Sequence, residues 1–228
     1  KIKIIDHKEI IESQYLPTFN SHVIESFLHK IPGLSEHFIY MNDDCFIWSP
    51  LEINNFFLPN GISISKFEIY KNVYGNRPDI TSPAWKNAAI NCNNVLKKIN
   101  LAPGASYHAH TPFALKKSIL EKLESKLKDE YALFRPNRLR GYNDLSTLSF
   151  LYHHYTIQNG GGVFTENFTS LTVNSSNKSA LNSLKSNAQP YNYTYEYVCI
   201  NDGGERKLRS TVIDILNQKF PEKADWEL

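Results

Sequence analysis

The stretch His37-Phe38-Ile39-Tyr40-Met41-Asn42-Asp43-Asp44 decides the reading of this chain. Its first five residues are mostly apolar or aromatic and run without a break into a polar triplet. The pattern predicts a short strand over residues 37–41 whose carboxyl end delivers two adjacent carboxylates. In open α/β sheets, ligands bind beyond the carboxyl ends of strands. Paired carboxylates there suit a hard divalent cation bridging to phosphate oxygens. Asn and Asp are equally the preferred turn formers, so an ordinary turn is the competing reading. A second stretch repeats the theme: a strand predicted over 195–200 ends in Asn201-Asp202-Gly203-Gly204.

Residues 1–6 read as another strand. Between it and the first lies a helix over 21–30, with Val23, Ile24, Phe27, Leu28 and Ile31 at helical spacing. Asn20 or Ser21 caps it and Pro32-Gly33 ends it. Strand, helix and strand in this order predict a βαβ crossover, with 1–6 and 37–41 as parallel neighbours. Alternation over 62–69 predicts a half-buried strand. Apolar periodicity predicts helices over 85–99 (Ser82 the candidate cap), 113–133, 144–157 and 205–219. Residues 159–162 read as a flexible break. The Ser/Asn-rich segment 174–187 reads as a loop holding a polar helix over 178–184. No repeat or linker is visible. The expected fold is one α/β unit, a mostly parallel, Rossmann-like sheet flanked by helices. Gly160-Gly161-Gly162 follows a helix rather than a strand, so it is not a dinucleotide loop.

Composition removes several classes. Aromatic residues make up 13% of the 228 residues, too many for a disordered chain. A net charge of +2, without clustering, argues against a dedicated nucleic-acid binder. No apolar run approaches the roughly 20 residues that span a bilayer. The start, Lys1-Ile2-Lys3-Ile4, lacks a signal-peptide core and an initiator Met, which reads as a fragment or a processed product. Cys45, Cys92 and Cys199 form no CxxC or zinc spacing and read as small buried hydrophobes in a reducing compartment.

Basic candidates come next. Tyr107-His108-Ala109-His110-Thr111-Pro112 precedes the helix predicted from 113, whose N-terminus would offer N–H groups to phosphate; a surface loop is the alternative. Arg135, Arg138 and Arg140 precede the next helix, and their forks match phosphate bidentately unless the loop is merely solvated. His153 and His154 are adjacent in a helix, so at most one faces a given pocket. His22, Glu25 and His29 share a helical face, but no further ligands close a metal site there.

Leu16-Pro17-Thr18-Phe19-Asn20-Ser21-His22-Val23-Ile24-Glu25, then Leu28 to Ser35 and Phe38 to Asp44, closely resemble the second conserved block of the Stealth family of sugar-1-phosphate transferases. That family includes bacterial capsular polysaccharide phosphotransferases and the Golgi enzyme that puts GlcNAc-1-phosphate on lysosomal glycoproteins. His110-Thr111-Pro112-Phe113 with Arg140 and Asp144 resembles the third block. Tyr197-Val198-Cys199-Ile200-Asn201-Asp202, with Phe220-Pro221 and Trp226-Glu227-Leu228, resembles the fourth. The blocks fall at about 1–50, 105–157 and 195–228. The family's first block, a strand ending in a Trp-Val-Asp-Gly-like motif that helps bind the nucleotide sugar, is absent. The resemblance therefore implies a single catalytic-domain fragment of a nucleotide-sugar transferase, incomplete at its N-terminus.

The implied reaction moves a hexose-1-phosphate, for example GlcNAc-1-phosphate, from a nucleotide diphosphate sugar to a glycan hydroxyl, releasing nucleoside monophosphate. The product is a phosphodiester-linked capsular polysaccharide. The resemblance assigns catalysis to Asp43, Asp44, His110 and Arg140, and substrate binding to Asn20, Ser21, Asn42, Arg138 and Asp144. It assigns Mg2+ or Mn2+ to Asp44, Asn201 and Asp202. Implied partners are the donor, the glycan acceptor, a chain supplying the missing block and a capsule-assembly complex at the inner face of the bacterial membrane; nucleic acid is not among them. Asp44 is expected within about 15 Å of His110 or Arg140, since the direct contacts of one phosphate and metal span only a few ångströms. Two other readings stay open. One is a non-catalytic glycan- or partner-binding subdomain. The other is a eukaryotic-type lysosomal-targeting transferase, for which Asn-x-Ser/Thr sequons at Asn167, Asn174, Asn177 and Asn192 would permit glycosylation. The compact spacing of the blocks favours the bacterial enzymes.

Overall fold

A computed structural model describes residues 2–73, 75, 77–174, 177–201 and 206–223. Residues 2–6 form no strand. Asp6 instead caps helix α1 (His7–Ile10) in a capping box with Glu9. Ile2 and Ile4 stay exposed, while Ile10 and Ile11 enter the core. Lys1 lies outside the described residues. The expected 21–30 helix is shorter: α2 spans Ser21–Glu25, and a 3-10 turn follows at Leu28–Lys30. The Ser26 hydroxyl donates to the Val23 carbonyl at 2.7 Å, which competes with the helix ladder at that point.

Strand β1 (His37–Tyr40) follows, then β2 (Cys45–Ile47), β3 (Ser63–Asn72) and helix α3 (Ala84–Lys98). The N-cap of α3 is Pro83, without a side-chain bond, and not Ser82. After β4 (Ser106–His108), the segment expected to open a long helix is strand β5 (Phe113–Lys116). Phe113, Ala114 and Leu115 are buried in succession, as in a strand covered on both faces. Helix α4 (Lys117–Lys126) and helix α5 (Lys128–Phe134) then break at Leu127. The 144–157 helix begins later, as a π-helical turn (Thr147–Leu151) running into α6 (Tyr152–Gln158). Strands β6 (Gly162–Thr165) and β7 (Ser170–Asn174), helix α7 (Lys178–Ser186), strand β8 (Tyr197–Asn201) and helix α8 (Arg206–Lys219) complete the order. The expected break at 159–162 is thus where β6 begins.

The sheet is not the mostly parallel one expected, and no Rossmann-like arrangement is present among the described residues. Among the described residues three small sheets form, with orders β1-β5, β2-β8-β7 and β4-β3-β6. Of the strand pairs among the described residues, β3/β6 and β7/β8 are parallel and the rest antiparallel. β1 pairs antiparallel with β5, from His37 opposite Lys116 to Tyr40 opposite Phe113, so there is no βαβ crossover onto β1. The main core joins the helices to the β1-β5 pair, with Val23, Phe27, Leu96, Leu123 and Leu148 fully buried. A second core, around Trp48, Val173, Leu184 and Val198, packs α7 and α8 onto β7 and β8. The chain passes from the first sheet to the second through residues 42–44. No helix among the described residues is long and apolar enough to cross a membrane.

Candidate functional site

The triplet Asn42-Asp43-Asp44 is both a turn and a cavity wall. The Cys45 N–H donates to the Asn42 carbonyl at 3.1 Å and closes the turn. The Ile200 N–H donates to the Asp44 carbonyl at 2.8 Å and ties the turn to β8. A cavity of about 770 Å³ opens here, lined by Asn42, Asp43, Asp44, His110, Arg140 and Asn201, among others. Asp202 and the Trp226-Glu227-Leu228 segment lie outside the described residues.

Asp44 meets His110 closely. Both carboxylate oxygens lie 3.1 Å from His110 Nε2. The Cys199 thiol donates to Oδ2 at 3.3 Å, and the Cys45 thiol approaches Oδ1 at 3.7 Å. Burial pushes the Asp44 carboxyl up, but His110 and the Cys199 thiol outweigh it and hold it below the usual carboxylate range. The side chains of His110 and Asp44 keep 39% and 24% exposure, so the pair is open to a ligand. His110 does not sit at a helix N-terminus, since β5 separates it from α4. Its place comes from the chain leaving β4.

Arg140 lines the same cavity. Its Nε and Nη2 donate to Ser21 Oγ at 3.0 and 2.6 Å, which aims the guanidinium. Asn20 and Asp144 are interior, not substrate-facing. Asp144 Oδ2 accepts from Asn20 Nδ2 and the Gly141 N–H, both at 2.9 Å, and lies 3.1 Å from His22 Nδ1. Its Oδ1 accepts from Asn137 Nδ2 at 2.7 Å. Asn20 Nδ2 also donates to the Leu139 carbonyl, and Asn20 Oδ1 accepts from the His22 N–H. Burial opposes the charge on Asp144, but His22, Asn137, Gly141 and Asn20 together hold its carboxyl below the usual range. This clamp fastens the 137–144 loop to the start of α2 and carries Arg140 to Ser21. Arg138 lies off the cavity and donates to the Pro17 carbonyl at 3.0 Å. Arg135 is buried, pairs with Glu124 at 2.5 Å and lies 3.8 Å over the Phe27 ring. Of the expected substrate residues, Ser21 and Asn42 therefore face the cavity, whereas Asn20, Asp144 and Arg138 do not.

The helical face of His22, Glu25 and His29 does not hold together as one group. His22 turns to Asp144, and His29 Nε2 lies 2.7 Å from Glu124. Glu25 and His22 both line the cavity, and with His22 engaged by Asp144 it is Glu25 that offers proton chemistry there. Burial raises its carboxyl despite His22, and the Tyr40 hydroxyl donates to its Oε1 at 3.2 Å. His108 is spent on structure: it accepts from the Lys66 N–H at 3.0 Å, donates to the Ala109 carbonyl at 2.7 Å and stacks on His153 at 4.1 Å. Burial pushes it down to about 3, so it is neutral. The sequence reading missed Glu25 as a cavity residue and Cys45 and Cys199 as neighbours of Asp44. For Glu25 the signal was its helical spacing from Ser21 and His22. For Cys45 it was adjacency to Asp44. For Cys199 only strand pairing carries it.

Two family models match the chain: Stealth protein CR2, conserved region 2, over residues 1–65, and Stealth protein CR3, conserved region 3, over residues 109–158. The first holds Ser21 and the 42–44 turn; the second holds His110 and Arg140. The chain is 35% identical over 234 residues to the capsular polysaccharide phosphotransferase SacB of Neisseria meningitidis serogroup A, covering 100% of this chain and 43% of the relative. It is 39% identical over 213 residues to the capsular polysaccharide phosphotransferase fcs1 of Haemophilus influenzae, covering 89% and 56%. It is 35% identical over 219 residues to the exopolysaccharide phosphotransferase CpsY of Mycobacterium leprae, covering 93% and 40%. The chain thus spans about two fifths to just over half the length of these relatives.

Proposed function

The chain belongs to the Stealth protein family, and from that premise we propose that it carries the catalytic centre of a hexose-1-phosphate transferase building a capsular polysaccharide. The donor is a nucleotide diphosphate sugar and the acceptor a glycan hydroxyl. The observation that carries this reading is the Asp44–His110 pair, 3.1 Å apart and open to a cavity whose wall also holds Arg140.

The acceptor oxygen attacks the phosphorus attached to the sugar, and the bond from that phosphorus to the nucleoside monophosphate breaks. Such a displacement needs the two oxygens in line and the phosphoryl charge neutralised. Asp44, held ionised by its neighbours, takes the proton of the acceptor hydroxyl and gives it up to the solvent of the open cavity, while His110 steadies the carboxylate. Arg140, aimed by Ser21, holds the transferred phosphate with two N–H groups of one plane. Asp43, Asp44, Asn42 and Asn201 bring oxygen donors to one cavity, a set that fits Mg2+ or Mn2+. Bound there, the ion would neutralise diphosphate charge. The setting in this reading is the bacterial cytoplasm at the inner face of the membrane. The donor side is completed by the part of the enzyme this chain does not span, in the same polypeptide or a partner.

The test is to incubate the full enzyme with a panel of nucleotide sugars and a capsule oligosaccharide, following nucleoside monophosphate release and the phosphodiester signal by phosphorus NMR. One donor is expected to release monophosphate in step with phosphodiester formation. Glycan binding without release from any donor would overturn the reading in favour of a binding subdomain.

A further inference from the structure

Cys45 and Cys199 carry no step of their own in the transfer chemistry, yet both thiols touch Asp44. They are Cα partners across β2 and β8, and directly opposed residues of an antiparallel pair project to the same face. Cys199 Sγ lies 3.3 Å from Asp44 Oδ2, Cys45 Sγ 3.7 Å from Oδ1, and His110 Nε2 3.1 Å from both oxygens. One ligand atom from each of Asp44, Cys45, His110 and Cys199 lies within 4.8 Å of all the others. A tetrahedral zinc ion, with sulfur at about 2.3 Å and nitrogen or oxygen at about 2.0–2.2 Å, spaces its ligands by roughly 3.3–3.8 Å. Around Asp44 Oδ2 the contacts of Cys199 Sγ and His110 Nε2 already sit near that range, while Cys45 Sγ lies against the other carboxylate oxygen. The widest edge closes by side-chain rotation of no more than about 1 Å, on strands whose ladder holds the two sulfurs in place.

The donor set decides the class of ion. A hard cation takes oxygen ligands, whereas two thiolates, an imidazole and one carboxylate select a borderline-soft ion. We propose that Asp44, Cys45, His110 and Cys199 form a four-ligand site for a divalent cation of the zinc class, and that filling it switches the transfer centre off. On binding, each thiol gives its proton to solvent as a metal–sulfur bond forms. With a neutral His110 and an ionised Asp44 the filled site carries a net charge of −1. The ion enters from the cavity, past Asp44 and His110. Ligation then occupies the carboxylate oxygen and the Nε2 that the transfer reaction needs. The binding stands on its own geometry; only the switch rests on the transferase reading.

Cobalt(II) reports the ligands directly. The full chain, metal-free and kept reduced with a phosphine, is titrated with Co2+. Expected are the visible bands of tetrahedral cobalt and a near-ultraviolet thiolate-to-cobalt charge-transfer band, both erased by equimolar Zn2+ and untouched by a large excess of Mg2+. Cys199→Ser should halve the charge-transfer band and weaken Co2+ binding by at least about 10–100-fold, the scale at which even outer groups of metal sites act. Cys92→Ser, in the core and bonded to the Ser146 carbonyl, should leave the spectrum unchanged. An octahedral spectrum without sulfur charge transfer in the wild-type chain overturns the proposal without recourse to any variant. So does a charge-transfer band that survives in the Cys45→Ser/Cys199→Ser double variant. In the full enzyme, transfer should stop at saturating Zn2+ and return with a chelator; full turnover at saturating Zn2+ removes the switch. Failure of the transferase reading would leave the cobalt spectrum intact, so the two outcomes are distinguishable.

Discussion

Two histidine–carboxylate pairs of equal length sit on either side of the cavity wall. His22 Nδ1 lies 3.1 Å from Asp144, and His110 Nε2 lies 3.1 Å from Asp44. Distance therefore says nothing about which is structural and which is poised for chemistry. Surroundings do. Asp144 is wholly buried and its carboxylate has four partners, close to the number of lone-pair sites a carboxylate offers. It has nothing left for a substrate. Asp44 and His110 are partly exposed, and the other donors to Asp44 are thiols, which are weak. A hydroxyl, a phosphate or a metal can displace those contacts cheaply. His29–Glu124 belongs with the first kind: Arg135 and Lys30 complete it, and although burial opposes the charge, His29 and Arg135 bring Glu124 down to about 2.

The comparison breaks most readily at Asp144. Asp144→Ala takes away the carboxylate that Asn20, Asn137, His22 and the Gly141 N–H share, and breaking such a buried charged network costs about 3–5 kcal/mol. For a chain of this size that is a fall in Tm of roughly 6–20 °C, readable by thermal denaturation. A Tm within about 2 °C of the parent would mean that the clamp holds nothing.

Asp44→Ala should show the opposite profile. Turnover of the full enzyme is expected to fall at least about 10²-fold, the scale of a general base or charge-stabilising group, with Tm nearly unchanged. Asp43→Ala is expected to lose turnover on the same scale. Near-parental turnover in both would remove the acidic pair from the mechanism.

A smaller effect sharpens the link between the two pairs. Arg140→Lys keeps the charge but loses the planar fork held by Ser21, and should lower turnover by about 10-fold while sparing Tm. If it is fully active, the Asp144 clamp positions a solvated charge and not a phosphate ligand.

The finest test uses pH. Unfolded histidine titrates near 6.5, whereas burial takes folded His108 down to about 3 and lowers His153 and His154 as well. Between these values the unfolded chain binds the extra protons. Stability is therefore complete above about pH 6.5 and is lost as pH falls toward 3, by up to about 1.4 kcal/mol per pH unit for each such histidine. Urea midpoints measured from pH 7 down to 4.5 should fall continuously. A flat profile would show that these rings are not kept neutral by the fold.

Local sequence carried a good part of this molecule. The periodicity of 85–99 and 205–219, the polar helix near 178–184 and the strands around 37–41, 62–69 and 195–200 all correspond to elements that form, within a few residues. The 42–44 triplet was recognisable because apolar-then-acidic order is a local property. The Asn20 cap was readable for the same reason. Tertiary structure decided the rest. Phe113 to Lys116 continues an amphipathic pattern into α4, and only the presence of β1, about 75 residues earlier, makes it a strand. Residues 2–6 read as a strand but pair with no strand among the described residues. Asp144 and Asp44 are the same residue type in polar stretches; one became a clamp and the other an open carboxylate because burial is set by what packs around them. Cys45 and Cys199 meet through a pairing that spans most of the chain. Helical period and turn chemistry are written in neighbouring residues, whereas strand partners, burial and the convergence of ligands depend on segments that meet only when the chain has folded.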